Sequence, residues 1–298
     1  MGRREGARAS VALVMRPGES PLGQVVRRLA KNRGATAGGT LLVALVGMAT
    51  FAPLVVRYDP IRTNYADALV GPSLRHPLGT DHYGRDLFSR IVFGGRLSLT
   101  AGLLAVSIGV VAGVLVGVPS GYYGGMVDDL TMRAMDVMLA FPGILFAMAV
   151  VAILGSGLTN VMIAVGVSSI PGFVRLVRGS VLSAAGHVYV EAARSIGCRN
   201  RRIMALHILP NVVAPLFTYA ALRVSVAIVS VASLNFLGLG AQPPTPEWGV
   251  MLADGRDYMR QYWWLATFPG LAIMVTTLSI NLFSNGLRDV LDPRLHRR

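Results

Sequence analysis

The residues whose types and spacing best suit a binding role lie in one stretch, residues 191–211, which reads EAARSIGCRNRRIMALHILPN. An alanine-rich segment, a glycine and a second segment carrying Arg199, Arg201 and Arg202 have the spacing of a DNA-binding helix-turn-helix. The net charge of +13 and the pI near 10.9 would suit a phosphate-binding surface. Whether this stretch binds nucleic acid depends on the elements that hold it.

Other chemical motifs are scarce. The sequence has no phosphate-binding glycine loop, nucleophile elbow or zinc-protease motif. His76 and His82 share a segment with Asp81 and Asp86, which makes a metal site conceivable, but scattered histidines of this kind are usually polar surface. Cys198 is the single cysteine, so no disulfide can form within the chain. We therefore assign no catalytic residue, no metal and no cofactor to this chain.

The composition predicts an all-α protein that crosses a membrane several times. Hydrophobic residues make up 53% and charged residues 14%, whereas soluble domains carry about 25% charged residues. A membrane-spanning helix needs about 20 mostly apolar residues. Glycines at 155–157 divide one long run into a hairpin of two helices. Six spans result from the apolar runs 37–56, 97–118, 137–174, 208–237 and 261–287.

The distribution of basic residues predicts the orientation. Eight Lys and Arg precede the first span against Glu5 and Glu19, and the loop around residues 175–202 and the carboxyl-terminal tail are also basic. With six spans, these three regions share the cytoplasmic side. The loop 57–96 carries six arginines and four aspartates and falls outside, against the rule. Basic segments of this kind also attract anionic lipid headgroups.

Three features stand out within the spans. Gly109, Gly113 and Gly117 form a smooth stripe on one helix face, which favours close packing against a helix of this chain or of a partner. Four prolines interrupt the runs and predict kinks at Pro142, Pro171, Pro215 and Pro269. Arg223 lies deep in a span, where an ionisable residue commonly marks a cavity or a paired charge. A pathway role and a snorkelling or locally hydrogen-bonded arginine both remain open.

Four motifs together give the chain a family resemblance. EAA followed by Gly197 and LHILPN, between two spans, resembles the cytoplasmic loop signature of bacterial ABC importer permeases. Three further motifs resemble the second permease subunit of the dipeptide/oligopeptide/nickel branch. They are HPLGTDHYGRDLFSRIVFGGRLSL at residues 76–99, LNFLGLGAQPPTPEWGVML, and WWLATFPGLAI followed by NGLRDVLDPR. The likeness extends from about residue 25 to the end of the sequence.

This resemblance implies a type I ABC importer permease with six transmembrane helices in a bacterial inner membrane. Its partners would be a homologous permease, two cytoplasmic ATP-binding subunits that hold ATP and Mg²⁺, and an external solute-binding protein. The solute would be a short peptide, or alternatively nickel or another small solute. The residues that match the ATPase-coupling loop are Glu191, Ala192, Ala193, Ser195, Ile196, Gly197 and Arg201.

The expected organisation follows from the spans and the resemblance. We expect a cytoplasmic segment over 1–36, a first transmembrane helix over 37–56, an external loop over 57–96, a permease core over 97–287 with a coupling loop at 175–207, and a cytoplasmic tail over 288–298. The loops 57–96 and 238–261 are expected to dock the solute-binding protein. Pro244 would stiffen this surface, and Trp248 and Tyr262 would anchor it at the membrane interface.

Two other classes compete with an importer subunit. A membrane-tethered nucleic-acid-binding regulator would explain the helix-turn-helix pattern, but spans within about 15 residues on either side leave the stretch little room to enter a DNA groove. A secondary transporter would explain the spans and Arg223, but it would typically show inverted internal repeats, which the sequence lacks. We therefore expect no nucleic-acid partner.

Overall fold

The computed structural model describes residue 29 and residues 31–291 of the chain. In that part, all regular structure is helical apart from an isolated β-bridge between Thr80 and Asp86. The predicted all-α fold is therefore confirmed. Most of the expected segment 1–36 and residues 292–298 of the expected tail lie outside the described residues.

The helices follow one another with short connections, apart from the long α2–α3 connection and the α8–α9 connection. They are α1 (Arg33–Thr50), α2 (Ala52–Val55), α3 (Leu87–Tyr123), α4 (Gly125–Leu139), α5 (Gly143–Leu154), α6 (Leu158–Ala185), α7 (Val188–Ser195), α8 (Asn200–Phe236), α9 (Trp248–Arg256) and α10 (Trp264–Leu291). A 3₁₀ turn at Tyr65–Asp67 lies in the long α2–α3 connection, and α8 contains a π-helical turn at Ile203–Ile208.

The number of membrane-spanning helices is four or five by length and composition. Helices α3, α6, α8 and α10 in the described chain are each long and apolar enough to cross a membrane. Helices α4 and α5 meet at an angle of 92° and make a fifth span if the bent pair crosses as one unit. Helix α1, which corresponds to the first predicted span, has 18 residues and is not among these candidates. The count of six stays a prediction.

Helix α3 begins at Leu87 and not at Leu97, where the apolar run starts. The reason is an N-terminal cap, because the Asp86 carboxylate accepts hydrogen bonds from the Ser89 N–H at 2.8 Å and its hydroxyl at 2.7 Å. The last part of the expected external loop is therefore helical. With 37 residues, α3 is about 55 Å long, well beyond the roughly 30 Å of a hydrocarbon layer.

The long uncharged run contains two breaks. The predicted hairpin is present between α5 and α6, where Gly155 (φ +88°) and Gly157 (φ +149°) adopt backbone conformations that favour glycine. A further break, which the run alone did not reveal, separates α4 from α5. Pro142 immediately precedes α5, a position where the missing N–H costs nothing.

Two apolar clusters hold the helices together. The main cluster joins α3, α5, α6, α7 and α8, and it includes the fully buried Phe173. A smaller cluster lies at the other end, where Leu87, Trp248 and Leu265 connect α3, α9 and α10. The main cluster reaches α7, so the EAA stretch is fixed to the spanning helices by buried apolar contacts.

Candidate functional site

Helix α7 presents the EAA stretch as a short helix with two distinct faces. Val190 and Ala193 are buried and pack into the main apolar cluster. Glu191, Ala192 and Ser195 are exposed. Of the two alanines that match the ATPase-coupling loop, Ala192 is exposed and available to a partner, whereas Ala193 packs into the chain's own core. Glu191 lies in the first turn, where its charge complements the helix dipole.

The exposed side of this element carries large apolar groups. Val188 is 79% exposed, Ile196 is 80% exposed and Leu206, on the following helix, is 60% exposed. Tyr189 is also exposed, although its hydroxyl accepts a hydrogen bond from the Asn211 amide at 3.1 Å. Apolar patches that remain uncovered commonly mark protein–protein or membrane contact sites.

Gly197 ends α7 in a left-handed conformation. Its φ is +79°, and a side chain there would meet no atom within 4 Å, so the requirement for glycine is one of backbone conformation. The Gly197 N–H donates to the Arg194 carbonyl at 2.9 Å and the Cys198 N–H donates to the Ala193 carbonyl at 3.1 Å. These two bonds form a Schellman motif, which reverses the chain immediately after the helix.

Tyr122, near the end of α3, joins the two halves of this turn. The Arg194 guanidinium of α7 lies 5.1 Å from the centre of the Tyr122 ring. The Tyr122 hydroxyl donates a hydrogen bond to Asn200 Oδ1, at the start of α8, at 2.9 Å. Sequence reasoning missed Tyr122, because nothing in its local sequence indicates a contact 78 residues away.

Helix α8 starts just after the Gly197 turn and then continues as a membrane-spanning helix. Arg201 is exposed on its first turn, as are Arg199 and Arg202 nearby. The π-helical turn that follows buries Ile203 and Ile208 in the main cluster. We call residues 187–208 the coupling element, since α7, the Gly197 turn and the beginning of α8 form one packed unit.

Two arginines of α6 have acidic partners on α4. Arg178 forms a two-pronged ion pair with Asp128, whose carboxylate also accepts a hydrogen bond from the Ser120 hydroxyl at 2.6 Å. Arg175 pairs with Asp136. The sequence indicated these arginines as cytoplasmic charges, but their pairing also fixes α4 beside α6, close to the coupling element.

The glycine stripe of α3 packs against α6 of the same chain. A Cβ atom on Gly113 would lie 2.6 Å from the Phe173 Cβ, and one on Gly117 would lie 2.9 Å from the Val174 carbonyl oxygen. A Cβ on Gly109 would also collide with the Phe173 ring. Helix α3 therefore requires glycine at these positions so that α6 can approach closely.

Arg223 lies beside a small cleft between α3, α6 and α8. Its side chain is partly exposed, and its guanidinium is 5.9 Å from the centre of the Tyr219 ring. The cleft is also lined by Ser168, Ser169 and Ser230. The structure thus surrounds the one arginine midway along α8 with hydroxyl groups of two helices.

A buried polar network, which we call the outer network, lies at the opposite end from the coupling element. Asp81 accepts a hydrogen bond from the Arg85 Nε, and the Arg90 Nε lies 3.5 Å from the same carboxylate. Arg90 also donates to the carbonyls of Pro60 at 2.9 Å and Pro244 at 3.2 Å. These bonds tie two connections, α2–α3 and α8–α9, to the start of α3.

The three external candidates differ in position. Pro244 is exposed and Tyr262 is partly exposed. The prediction that Trp248 anchors an external docking surface is wrong, because Trp248 is 3% exposed. Its ring packs against Gly94 and Gly95 of α3, and its indole N–H donates to the Ile91 carbonyl at 2.9 Å.

The histidines of the outer end have local partners. His76 Nδ1 is 2.9 Å from Asp86 Oδ1, and the His82 ring stacks on Tyr258 with centroids 5.1 Å apart. Within the described residues, no group of three or more His, Cys, Asp or Glu side chains is arranged to hold a metal ion.

Two acidic groups at α9 have pKa values above the ordinary ones. Burial raises the pKa of the Glu247 carboxyl above its ordinary value, although hydrogen bonds from the Ser98 hydroxyl and the N–H groups of Val250 and Gly249 act in the opposite direction. Burial likewise raises the pKa of Asp254. Glu247 caps α9, so its protonation is linked to the stability of that end.

Comparison with known proteins identifies relatives over nearly the whole chain. The chain is 46% identical over 283 residues to the di/tripeptide transport system permease protein DppC of Pseudomonas aeruginosa, covering 93% of each chain. It is 45% identical to the dipeptide transport system permease protein DppC of Alkalihalophilus pseudofirmus, covering 93% of this chain and 91% of the relative. It is 46% identical to the glutathione transport system permease protein GsiD of Pectobacterium atrosepticum, covering 93% and 92%.

A solved structure and two sequence families complete the comparison. A chain of the MetNI methionine ABC transporter in an inward-facing conformation has the same fold, with a TM-score of 0.55 and 18% identity over 67% of this chain and 96% of that chain. Residues 20–72 match the N-terminal TM domain of oligopeptide transport permease C. Residues 109–297, which include the glycine stripe, the coupling element and Arg223, match the binding-protein-dependent transport system inner membrane component. The chain belongs to this family of transport permeases.

Proposed function

We propose that the chain is one permease subunit of an ATP-driven, binding-protein-dependent importer of short peptides. The support for the solute class comes from relatives named for di/tripeptides, dipeptides and glutathione, which align with more than nine-tenths of this chain. None of these relatives is named for nickel. The proposal therefore retains the peptide class and drops the nickel alternative.

The coupling element is the observation that carries the ATP-driven mechanism. It combines an exposed apolar patch at Val188 and Ile196 with a rigid turn at Gly197. Such a helix can enter a cleft of an ATP-binding subunit, while its buried face stays attached to the spanning helices. We infer that two such subunits supply ATP and Mg²⁺, and that a homologous permease lines the pathway together with this chain.

A six-span topology in a bacterial inner membrane fits this arrangement. Helix α1 would be the first span and the bent pair α4–α5 the third, with both termini and the coupling element cytoplasmic. The external loop opposes the positive-inside rule by its arginine count, but Arg85 and Arg90 are buried against Asp81. These two arginines therefore have a structural role on the external side.

The external end would receive the solute-binding protein. The outer network makes the α2–α3 and α8–α9 connections a single rigid surface. On the α2–α3 connection Tyr65 is 69% exposed and Leu74 is fully exposed, and Trp263, in the connection between α9 and α10, is 51% exposed. We propose that these residues, with Pro244 and Tyr262, form the docking surface in place of Trp248.

Reconstitution tests this function. The chain would be co-purified with its partner permease and ATP-binding subunits and placed in proteoliposomes with the binding protein outside and ATP inside. Accumulation of radiolabelled dialanine that needs both ATP and the binding protein is the expected result. Uptake without ATP would indicate a secondary carrier, uptake of ⁶³Ni²⁺ in preference to peptide would indicate a metal importer, and either result overturns the proposal.

A further inference from the structure

We propose that the cleft at Arg223 binds the free carboxylate of the solute as it crosses the membrane, an inference that rests on the proposed peptide-import function. Arg223 is midway along the α8 segment Leu209–Phe236, so the cleft lies near the middle of the spanning region. A solute that carries a negative charge has its highest desolvation cost at this depth.

Two unused hydrogen-bond donors line the cleft. In the described part of the chain, the Arg223 guanidinium has no hydrogen bond and no ion pair, and its interaction with the Tyr219 ring at 5.9 Å is at the outer limit of a cation–π contact. The Ser230 hydroxyl likewise has no hydrogen-bond partner there. The two residues are seven positions apart on one helix, which places them on the same face two turns apart.

The other two hydroxyls at the cleft are already committed. Ser168 donates to the Val165 carbonyl at 2.8 Å, and Ser169 donates to the Gly166 carbonyl at 2.7 Å. The available donors thus belong to Arg223 and Ser230. A carboxylate, which accepts hydrogen bonds and carries a negative charge, complements a free guanidinium and a free hydroxyl.

The electrostatics of the region also favour an anion. Asp136, an acidic residue of the bent pair α4–α5, pairs with Arg175 and not with Arg223. An unpaired guanidinium inside a spanning segment is costly, and so is a carboxylate. Each charge offsets the cost of the other when the solute reaches the cleft. Removing the guanidinium therefore raises the energy of a carboxylate-bearing solute at this point of the path.

The size of the cleft limits what can enter it. Its enclosed space is only about 20 Å³, and its remaining walls are alanine and valine side chains of α3, α6 and α8. Pockets that enclose a whole small ligand are about 300–1,000 Å³. The cleft therefore has no room for a whole solute, and a terminal carboxylate would meet the partly exposed Arg223 and Ser230 at its mouth. This geometry gives the permease a preference for solutes with a free carboxyl end, independent of their side chains.

The first experiment compares two solutes in the complete transporter in proteoliposomes. The solutes are dialanine and dialanine amide, which differ in the charge of the carboxyl end. We expect Arg223→Gln to lower the dialanine rate roughly tenfold relative to the amide rate, since a hydrogen bond to a charged group is lost. Arg223→Lys should retain most of the preference because the charge remains. The binding protein is the same in every sample, so its own preference between the two solutes does not affect the comparison of variant with wild type.

Arg256→Gln is the matched control. Arg256 is an exposed arginine outside the candidate spans, and its guanidinium lies 5.9 Å from the Phe236 ring, the same distance as Arg223 from Tyr219. Its loss should change both rates equally. A second measurement uses the complex without the binding protein, in which phenylglyoxal modifies accessible arginines. Dialanine should slow the modification of Arg223, and the amide should not.

Three results would overturn the inference. If Arg223→Gln slows dialanine and its amide equally, the arginine has a structural role. If this variant no longer co-purifies with the partner permease, Arg223 pairs with a carboxylate of that subunit. If neither solute protects Arg223 from phenylglyoxal, no carboxylate binds at the mouth of the cleft. Failure of the wild-type complex to import dialanine would instead refute the proposed function itself.

Discussion

Substitution of Gly197 isolates the mechanical role of the turn that ends α7. Its φ of +79° is unfavourable for any residue with a side chain, yet a Cβ atom at this position would meet nothing within 4 Å. The penalty of Gly197→Ala therefore comes from the backbone alone and is about 1–2 kcal/mol. Asparagine tolerates this conformation better, whereas the β-branched valine tolerates it least.

This penalty acts on a small element with few anchors. Helix α7 is held by the buried Val190 and Ala193 and by the contacts of Tyr122. A cost of one to two kcal/mol raises the population of a displaced α7 by roughly 5–30-fold. We expect the number of ATP molecules hydrolysed per imported peptide to rise in the order wild type, Gly197→Asn, Gly197→Ala, Gly197→Val, while the chain still inserts and assembles.

The assay measures ATP hydrolysis and dialanine uptake in the same proteoliposomes. Gly179→Ala is the matched control, because Gly179 is exposed within helix α6 and a Cβ there also meets nothing within 4 Å. This variant should couple as well as wild type, since alanine favours a helix. Normal coupling in Gly197→Val, or equal uncoupling in Gly179→Ala, would refute the reasoning about the turn.

Three further substitutions test the scaffold by thermal unfolding in detergent. Gly113→Ala should destabilise the chain by about 1–3 kcal/mol, because its Cβ would lie 2.6 Å from that of Phe173, whereas Gly143→Ala meets nothing within 4 Å and should not. Asp81→Asn should cost about 3–5 kcal/mol, because two buried arginines lose their counter-charge. Glu247→Gln should flatten the pH dependence of the melting temperature. Because the pKa of Glu247 is raised in the folded state, the stability of the wild type falls as the pH rises above the ordinary pKa of 4.5, and the amide removes that titration. An unchanged melting temperature in either of the first two, or an unchanged pH slope in the third, would contradict these assignments.

Local patterns predicted the features that depend on nearby residues. The apolar runs located the spanning helices α3, α6, α8 and α10, and the glycines at 155–157 located a hairpin. Gly197 could be recognised as a turn because its role depends on its own backbone. A kink was predicted at Pro142, but an uncharged run does not reveal whether its proline lies inside a helix or at its start, so the break into two helices was not predicted.

Features that depend on distant residues were not predictable in this way. Trp248 has the composition of an interfacial anchor, but Gly94 and Gly95 leave a space on α3 that its ring fills. Tyr122 and the Arg178–Asp128 pair are likewise tertiary contacts, over 78 and 50 residues. For the same reason, the sequence could not decide whether the glycine stripe faces this chain or a partner.

The position of Arg223 on α8 connects the coupling element to the proposed carboxylate site. Residues 200–208 of the coupling element and Arg223 lie on the same helix, α8, and the step of 23 residues from Asn200 to Arg223 corresponds to about 35 Å of helix. A tilt of about 5° over that length moves the far end by about 3 Å, which is the length of a hydrogen bond. The π-helical turn at Ile203–Ile208 and Pro215 give α8 two points where such a tilt can be concentrated or absorbed. A displacement of α7 that tilts α8 by this angle would therefore make or break a contact between Arg223 and a carboxylate.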